Sequence, residues 1–406
     1  MNGVLDGFQL IEGSAFVAAP LGGMTLAQLG ADVIRFDQLG GGLDYERWPL
    51  AADGQSLFWA GLNKGKRSIQ VDIRSDQGRQ LVGDLITATG ALLTNFPTRG
   101  WLTYESLSAN RPDLLMVALA GNPDGTSEVD YTVNPATGFP WATGPRNLSE
   151  PLNSVLPSWD LVLGGLAATG LLAAERHRSL TGEGQLIRLA LSDVAFATVG
   201  NLGRIAEAQL GGQDQRKDGN YLYGAFGHDF PTADDRRVMV VALTARQWRA
   251  LKEATGTGEA FAGIEHATGQ DLDTETGRYE ARDLIAAVLR PWFAAHTLAE
   301  IRQLFDRTGV SWGPYQTFRQ LVEEDPRAST ANPMFELIEH PGVGRYLAPG
   351  SPLHFTGLGR LPVRRAPILG EHTDEVLADV LGLSEHEIGS LHDRGVVAGP
   401  AQAVVG

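Results

Sequence analysis

The sequence predicts an α/β fold: a large domain on a parallel sheet, then a smaller α+β domain. Three observations carry this. Short apolar strands alternate with helical segments over the first 120 or so residues. The pattern changes after a polar, glycine-rich connection at Gly211-Gly-Gln-Asp-Gln-Arg-Lys-Asp-Gly219. Beyond it, helices dominate and strands are sparse.

Phe8-Gln-Leu-Ile-Glu12 reads as a strand and Gly13-Ser-Ala-Phe as the turn that follows. Pro20 to Leu29 reads as a helix with proline in its first turn, where the missing N–H costs nothing. Gly30 ends it, and Ala31 to Asp37 is the second strand of a right-handed βαβ unit. Ser68 to Ile73, Ala91 to Asn95 and Leu114 to Leu119 continue the strands, with helices over Ser75–Thr87 and Trp101–Asn110 between them. Gly121 to Pro157 is rich in Gly, Pro, Asn, Ser and Thr, and reads as a long loop of the kind that often carries function. An apolar, glycine-spaced helix runs from Asp160 to Glu175, followed by a strand over Gly184–Leu191.

After the connection, Arg237–Leu243 reads as a strand and Ala245–Thr255, Tyr279–Ala295 and Thr297–Thr308 as helices. Pro- and Gly-rich segments occupy 333–367. The chain ends with a helix over Thr373–Leu381 and another opened by Ser384-Glu-His-Glu387, a Ser-x-x-Glu capping box. No internal repeat is present.

The chain has 406 residues, 43% hydrophobic and 20% charged, an ordinary globular composition. Its net charge of −15 argues against nucleic acid or an anionic membrane as partner, since both attract basic surfaces. No cysteine is present, which excludes disulfides, thiolate metal sites and a cysteine nucleophile. The amino terminus lacks a basic and then apolar leader, and the apolar run from Leu161 to Ala174 is too short to span a bilayer. These features predict a cytoplasmic protein.

Asp160 stands out because it opens an otherwise buried helix. One reading is an N-cap, whose oxygen satisfies first-turn amides. The other is a carboxylate nucleophile beside backbone donors. Spacing alone leaves both open. The first βαβ unit ends on Asp37 as a dinucleotide site would, but its turn, Gly13-Ser-Ala-Phe-Val-Ala-Ala-Pro20, lacks the G-x-G-x-x-G fingerprint. Asn63-Lys-Gly-Lys-Arg-Ser68 concentrates three cations in an acidic chain. It reads either as a solvated loop or as a cradle for phosphates, with Arg74 extending the surface. His228, His340, His354 and His372 show no metal-ligand spacing, and no serine lies in a G-x-S-x-G elbow. No metal or cofactor is expected.

Taken together, the segments resemble the class III CoA-transferase family. The matching residues run nearly end to end. They begin with Leu5-Asp-Gly7, Pro20, Leu29-Gly-Ala-Asp-Val-Ile34, Gly40–Gly42, Asn63 to Asp72 and Asn95-Phe96. They go on with Asp160 and its helix, Thr181-Gly-Glu-Gly-Gln185, Ser192-Asp193, Phe230–Asp234 and Gln247-Trp248. His340-Pro341, Pro367 to Thr373 and Leu381-Gly-Leu-Ser384 complete the set. The resemblance implies a Rossmann-like large domain built from both chain ends, here 1–210 and 340–406, with a small domain at 225–330 and an interlocked homodimer. It implies that Asp160 is the nucleophile and that a CoA thioester is substrate rather than cofactor. It places CoA against Phe16, Val17, Gln38, Asn63, Lys64, Lys66, Arg67, Val71, Arg74, Asn95, Phe96 and Arg99. The partners it implies are an acyl-CoA and a small dicarboxylate.

Departures narrow the chemistry. The racemase branch carries Gly-His-Asp in the long loop; here Val129 precedes Asp130, so the second base is missing. The oxalate-type branch has glutamine, arginine and lysine where this chain has Val17, Gln38 and Val129. The segments Glu12–Met24 and Gly42–Trp48 resemble instead the branch that moves CoA between the two carboxyls of one diacid. Apolar Phe16 and Val17 suit a closed pocket for a methyl-bearing diacid, and Arg47 is the candidate cation for its free carboxylate. Intermolecular transfer to a separate acid is the alternative, and a non-catalytic CoA-binding protein the rival of another class.

Overall fold

The structure, a computed structural model, describes residues 3–211 and 214–400. The outermost residues of the expected domains, 1–2 and 401–406, lie outside that range. The chain divides into two compact units, the first Met1–Thr137, Ser154–Gly211 and Pro326–Gly406, the second Gly138–Asn153 and Gly212–Asp325.

The first unit opens with β1 (Gln9–Gly13), α1 (Ala18–Ala27) and β2 (Asp32–Asp37). It continues through α2 (Leu57–Leu62), β3 (Arg67–Val71), α3 (Asp76–Thr89) and β4 (Ala91–Thr94). α4 (Tyr104–Ser108), β5 (Leu115–Ala120) and α5 (Asp130–Ala136) follow. After α6 (Phe139–Ala142), which belongs to the second unit, come α7 (Ser158–Thr181), β6 (Gln185–Ala190), α8 (Leu191–Asn201) and α9 (Arg204–Gly211). The second unit holds β7 (Phe226–Pro231), β8 (Arg237–Ala242), α10 (Ala245–Thr255), α11 (Gly258–Thr268) and α12 (Glu275–Glu280). It ends with α13 (Arg282–Ala294), α14 (Leu298–Thr308), β9 (Ser311–Pro314) and α15 (Phe318–Glu324). The first unit then resumes with β10 (Phe335–His340), β11 (Gly344–Pro349), α16 (Thr373–Leu381), α17 (Glu385–Asp393) and β12 (Val397–Ala398).

Seven strands form the main sheet in the order β12-β3-β2-β1-β4-β5-β6. All pairs are parallel except β12, which runs antiparallel to β3. Leu10, Ile11, Val33, Ile34, Phe36, Ile69, Leu92, Leu93, Met116 and Val117 are buried on both faces, as a helix-covered parallel sheet requires. The carboxyl-terminal chain closes this core: Val376, Leu377, Ile388 and Leu391 pack with Ile69, Leu81 and Leu85. The large unit is thus built from both chain ends. The predicted Ser384 capping box forms, with Glu387 Oε2 accepting from the Ser384 amide at 2.8 Å.

α7 lies against α1 through small residues. A Cβ at Gly164 would stand 2.7 Å from the Ala18 carbonyl, so only glycine lets the helices come this close. The contact sets the start of α7 beside the start of α1.

In the second unit β7, β8 and β9 form an antiparallel sheet. Phe226, Phe230, Trp248, Phe293 and Phe305 fill its core, with the Phe230 and Phe293 rings stacked at 4.4 Å.

Several elements differ from expectation. The stretch 138–153, expected within the large domain, packs in the second unit, and the first unit resumes at Pro326 rather than at 340. The expected loop over 121–157 contains α5 and α6. Their Pro, Gly and Asn content gives weak intrinsic helicity, so tertiary contacts hold them. The Pro- and Gly-rich stretch contains the β10–β11 hairpin. Among the described residues no single helix is long and apolar enough to cross a membrane.

Candidate active site

The strand order changes direction between β1 and β4, and ligands of open parallel sheets bind outside the carboxyl ends of the strands at such a point. The loops that diverge there are Ser14–Val17 after β1 and Asn95–Arg99 after β4.

The first loop is pinned from four sides. Ser14 Oγ donates to Glu12 Oε1 at 2.6 Å, and the Ser14 carbonyl accepts from Arg35 at 2.9 Å. Asn95 clamps Ala15 through both amide atoms, at 2.7 and 2.9 Å. Phe16 donates its N–H to both oxygens of buried Asp44 at 2.9 Å. That grip holds Phe16 at φ +67°, a left-handed conformation costly for an aromatic residue. The Phe16 ring stays partly exposed.

Beneath the loop lies a buried ionic cluster. Arg35 binds Asp37 at 3.0 Å and Asp44 at 3.2 Å and stacks 4.5 Å from the Trp59 ring. Lys66 Nζ donates to Glu12 Oε1 at 2.7 Å, the Pro20 carbonyl at 2.9 Å and Asn63 Oδ1 at 2.9 Å. Burial pulls the Lys66 amine down to about 8, with Glu12 opposing it. Glu12 presses against α1 so closely that a Cβ at Gly23 would overlap its Oε2. Asp37 is therefore a partner of Arg35, not a ribose ligand.

These contacts correct the reading of the basic turn as a phosphate cradle. Lys66 has all three donors engaged. Arg67 is held by Asp32 and Glu375 at 2.9 and 3.2 Å. Lys64 is buried and donates to the Gly61 carbonyl near the end of α2, while Asn63 bonds Arg35 and Trp59. Val71 is a core residue, Val17 is buried at the start of α1, and Phe96 packs edge-on against Phe36 at 5.8 Å. Asn95 is spent on Ala15. Exposed at the carboxyl edge are Gln38, Arg74 and Arg99; the last two form no ion pair among the described residues. Both leave their charge open to an anionic ligand there.

Asp160 is the third residue of α7, not its cap. Pro157 holds the cap position and offers no side-chain acceptor. The capping is done by Asp130, whose Oδ2 accepts from the amides of Trp159 at 2.7 Å and Asp160 at 3.1 Å. Among the described residues the Asp160 carboxylate accepts no hydrogen bond. Burial first, then the negative charge of Asp130, pushes its pKa up to about 6, against the pull of Arg47.

Arg47 follows the short 3₁₀ turn Leu43–Glu46. Its guanidinium lies 5.3 Å from the Phe16 ring and 5.0 Å from the Phe58 ring, a cation held by aromatic faces. It is half-buried and pairs with no carboxylate among the described residues. Asp44, Arg35, Phe58 and Asp130 were not foreseen as site residues. Pro157 ahead of the buried helix was the available signal for an external cap. No group of three or more potential metal ligands occurs among the described residues.

A helix-covered parallel sheet, a switch point between β1 and β4, and a carboxylate relieved of capping at the start of α7 are the features this chain brings to the comparison with known proteins. The chain belongs to CoA-transferase family III, whose model matches residues 5–373. It is 59% identical over 408 residues to 2-methylfumaryl-CoA isomerase of Chloroflexus aurantiacus, covering 99% of this chain and 100% of the relative. It is 27% identical to succinyl-CoA–D-citramalate CoA-transferase of the same organism, with 97% and 98% coverage. A CAIB/BAIF family protein from Brucella suis shares the fold at TM-score 0.77 and 24% identity, over 94% of this chain and 100% of that one.

Proposed function

We propose that this chain moves CoA between the two carboxyls of one mesaconate, through a covalent aspartyl intermediate. The observation that carries the reading is Asp160: a first-turn carboxylate relieved of capping, raised in basicity and set near unpaired Arg47. The near-full-length similarity to 2-methylfumaryl-CoA isomerase supports the choice of substrate.

CoA cannot pass directly between carboxylates, so a relay divides the step. A carboxylate oxygen of Asp160 attacks the thioester carbonyl. A C–O bond forms, the C–S bond breaks, and CoA leaves as thiolate. The thiolate then attacks the Asp160 carbonyl of the mixed anhydride, expelling the diacid carboxylate and leaving an aspartyl-CoA thioester. The diacid's other carboxylate attacks that thioester, thiolate leaves again, and it returns to the new acyl carbon to free Asp160. No net proton is consumed. Water must be excluded because both intermediates hydrolyse, and keeping the diacid enclosed makes transfer effectively unimolecular. Arg47 pairs with whichever carboxylate is not reacting, and Phe16 packs on the methyl face. Arg74 and Arg99 suit the nucleotide phosphates.

We infer a homodimer as the working form. α9 buries none of its residues, and Phe196, Leu202, Ile205 and Leu210 stand exposed along α8 and α9. A second copy covering that apolar face fits the interlocked assembly the family resemblance implies. A cytoplasmic location fits a substrate carried on CoA. The test of function is to incubate the protein with mesaconyl-CoA and weigh it. A CoA adduct on the peptide holding Asp160 is expected. Incorporation of labelled free mesaconate at the rate of turnover would favour intermolecular transfer instead.

A further inference from the structure

The start of α7 has an arrangement that the relay chemistry alone does not require. α7 has 24 residues and an apolar first half, yet it begins at a proline that cannot cap it through a side chain. Its second and third amides are satisfied from outside, both by Oδ2 of Asp130. Asp130 is only 2% exposed and sits at the first position of α5. One turn further along α5, Asn134 Oδ1 accepts from the Trp159 indole at 3.1 Å, so α5 grips the start of α7 at two points.

A carboxylate in the first turn of a helix ordinarily folds back on the free amides there. At Asp160 those amides are already engaged. We propose that Asp130 is a positioning residue for Asp160: by capping α7 from outside the helix, it leaves the Asp160 carboxylate free to attack the thioester. This inference rests on the reading of Asp160 as nucleophile.

Charge adds a second effect. The ionisable groups that face Asp160 are Asp130 from α5 and Arg47 from the segment after β2. Asp130 disfavours a second anion beside it, whereas Arg47 favours one. A more basic carboxylate is a stronger nucleophile toward a thioester. Asp130 therefore supplies both geometry and basicity, and the two separate by substitution. Asp130→Asn keeps an oxygen acceptor for the two amides and removes the charge. Asp130→Ala removes both.

The experiment measures three quantities on full-length protein, with mesaconyl-CoA as substrate. These are hydrogen exchange of the peptide containing Trp159 and Asp160, the pH profile of kcat/KM, and hydroxylamine labelling of Asp160 during turnover. For Asp130→Asn we expect wild-type exchange and an acid limb moved to lower pH by about half a unit or more. For Asp130→Ala we expect amide exchange at least about tenfold faster and kcat lower by roughly 10- to 100-fold. Its KM should stay within about twofold, since the lost interaction serves the reaction rather than binding. An Asp130→Ala enzyme with wild-type exchange and kcat would overturn the proposal. So would an Asp130→Asn enzyme whose acid limb stays in place, and this arm stands even if the alanine variant fails to fold. Labelling separates the two readings. No label on wild-type Asp160 would overturn the nucleophile itself and the proposal with it. Wild-type labelling that proceeds at the same rate in Asp130→Ala would overturn the role of Asp130 alone.

Discussion

Asp130 Oδ2 accepts a hydrogen bond from the backbone amide of Asp160 at 3.1 Å, joining two carboxylate residues thirty positions apart at one helix end. One carboxylate caps and the other does not. In sequence, Asp160 is open to two roles, cap and nucleophile. The structure gives the first role to Asp130 and leaves Asp160 without a structural task for its carboxylate. A half-buried charge with no structural task carries a desolvation cost, and such costs persist where chemistry needs the group.

The raised pKa of Asp160 sets a pH dependence. If Asp160 is the proposed nucleophile its anion reacts, so kcat/KM should fall tenfold per unit as pH drops below about 6, and level off above it. An ordinary aspartate would hold full rate down to about pH 4. A profile flat between pH 5 and 8 would show that Asp160 ionisation does not govern the rate.

The same shift has a consequence for stability. Asp160 binds its proton more tightly in the folded chain than at its ordinary value of 3.8. Its relative contribution is most favourable below that value and is lost as pH rises through about 6. Asp160→Asn removes the ionisation. The variant should therefore melt higher than wild type at pH 8, with the difference shrinking toward pH 4.5. Melting curves at the two pH values measure this, and a variant less stable at pH 8 would contradict it.

The sheet was legible because its strands are apolar runs punctuated by Gly30, Gly90 and other turn residues, and parallel order follows from the intervening helices. The position of Asp160 at the start of a buried helix was legible because a lone acid there is anomalous. The ionic cluster was not. Lys66 and Glu12 lie 54 residues apart, and a run such as Lys64-Gly-Lys66-Arg67 looks the same in sequence whether it faces solvent, phosphate or a buried carboxylate. Asp130 was hidden for another reason: α5 is short and weakly helical by itself, so its placement depends on α7. Strand β12 has two residues and no periodicity to detect.

Lys66 gives a direct test of the corrected placement. Lys66→Ala leaves buried Glu12 with only the more distant Arg35, at 3.9 Å, and breaking a buried pair from one side costs about 3–5 kcal/mol. Urea unfolding should show a loss of that order. Any folded fraction should keep a near-normal KM for acyl-CoA. A stable variant with a greatly raised KM would restore Lys66 to the ligand.

Arg47 should matter through both charge and shape. Arg47→Lys keeps the charge but loses the planar group that rests on Phe16 and Phe58. We expect kcat/KM to fall roughly 10-fold for Arg47→Lys and 100-fold or more for Arg47→Gln, as for loss of a charge-assisted pair. Acyl-CoAs lacking a second carboxylate should show little of this loss when tested for thioester hydrolysis. Equal losses on monoacid and diacid thioesters would move Arg47 away from the free carboxylate.

The decisive variant is Asp160→Asn. It keeps size and side-chain polarity, and Asp130 still caps α7, so the fold should be unaffected by circular dichroism. The amide is no nucleophile at neutral pH, so turnover should drop by about four orders of magnitude or more, while CoA binding stays within a few-fold. Hydroxylamine added during wild-type turnover should convert Asp160 to its hydroxamate, a mass change located by peptide mapping. The asparagine variant should show none. Slow recovery of activity on storage would be checked by mass for deamidation back to aspartate. An asparagine variant of confirmed mass that turns over at the wild-type rate would remove Asp160 from the covalent relay, and three neighbouring carboxylates are already engaged elsewhere: Asp44 is held by Phe16 and Arg35, Asp37 by Arg35, and Asp130 by the two amides of α7.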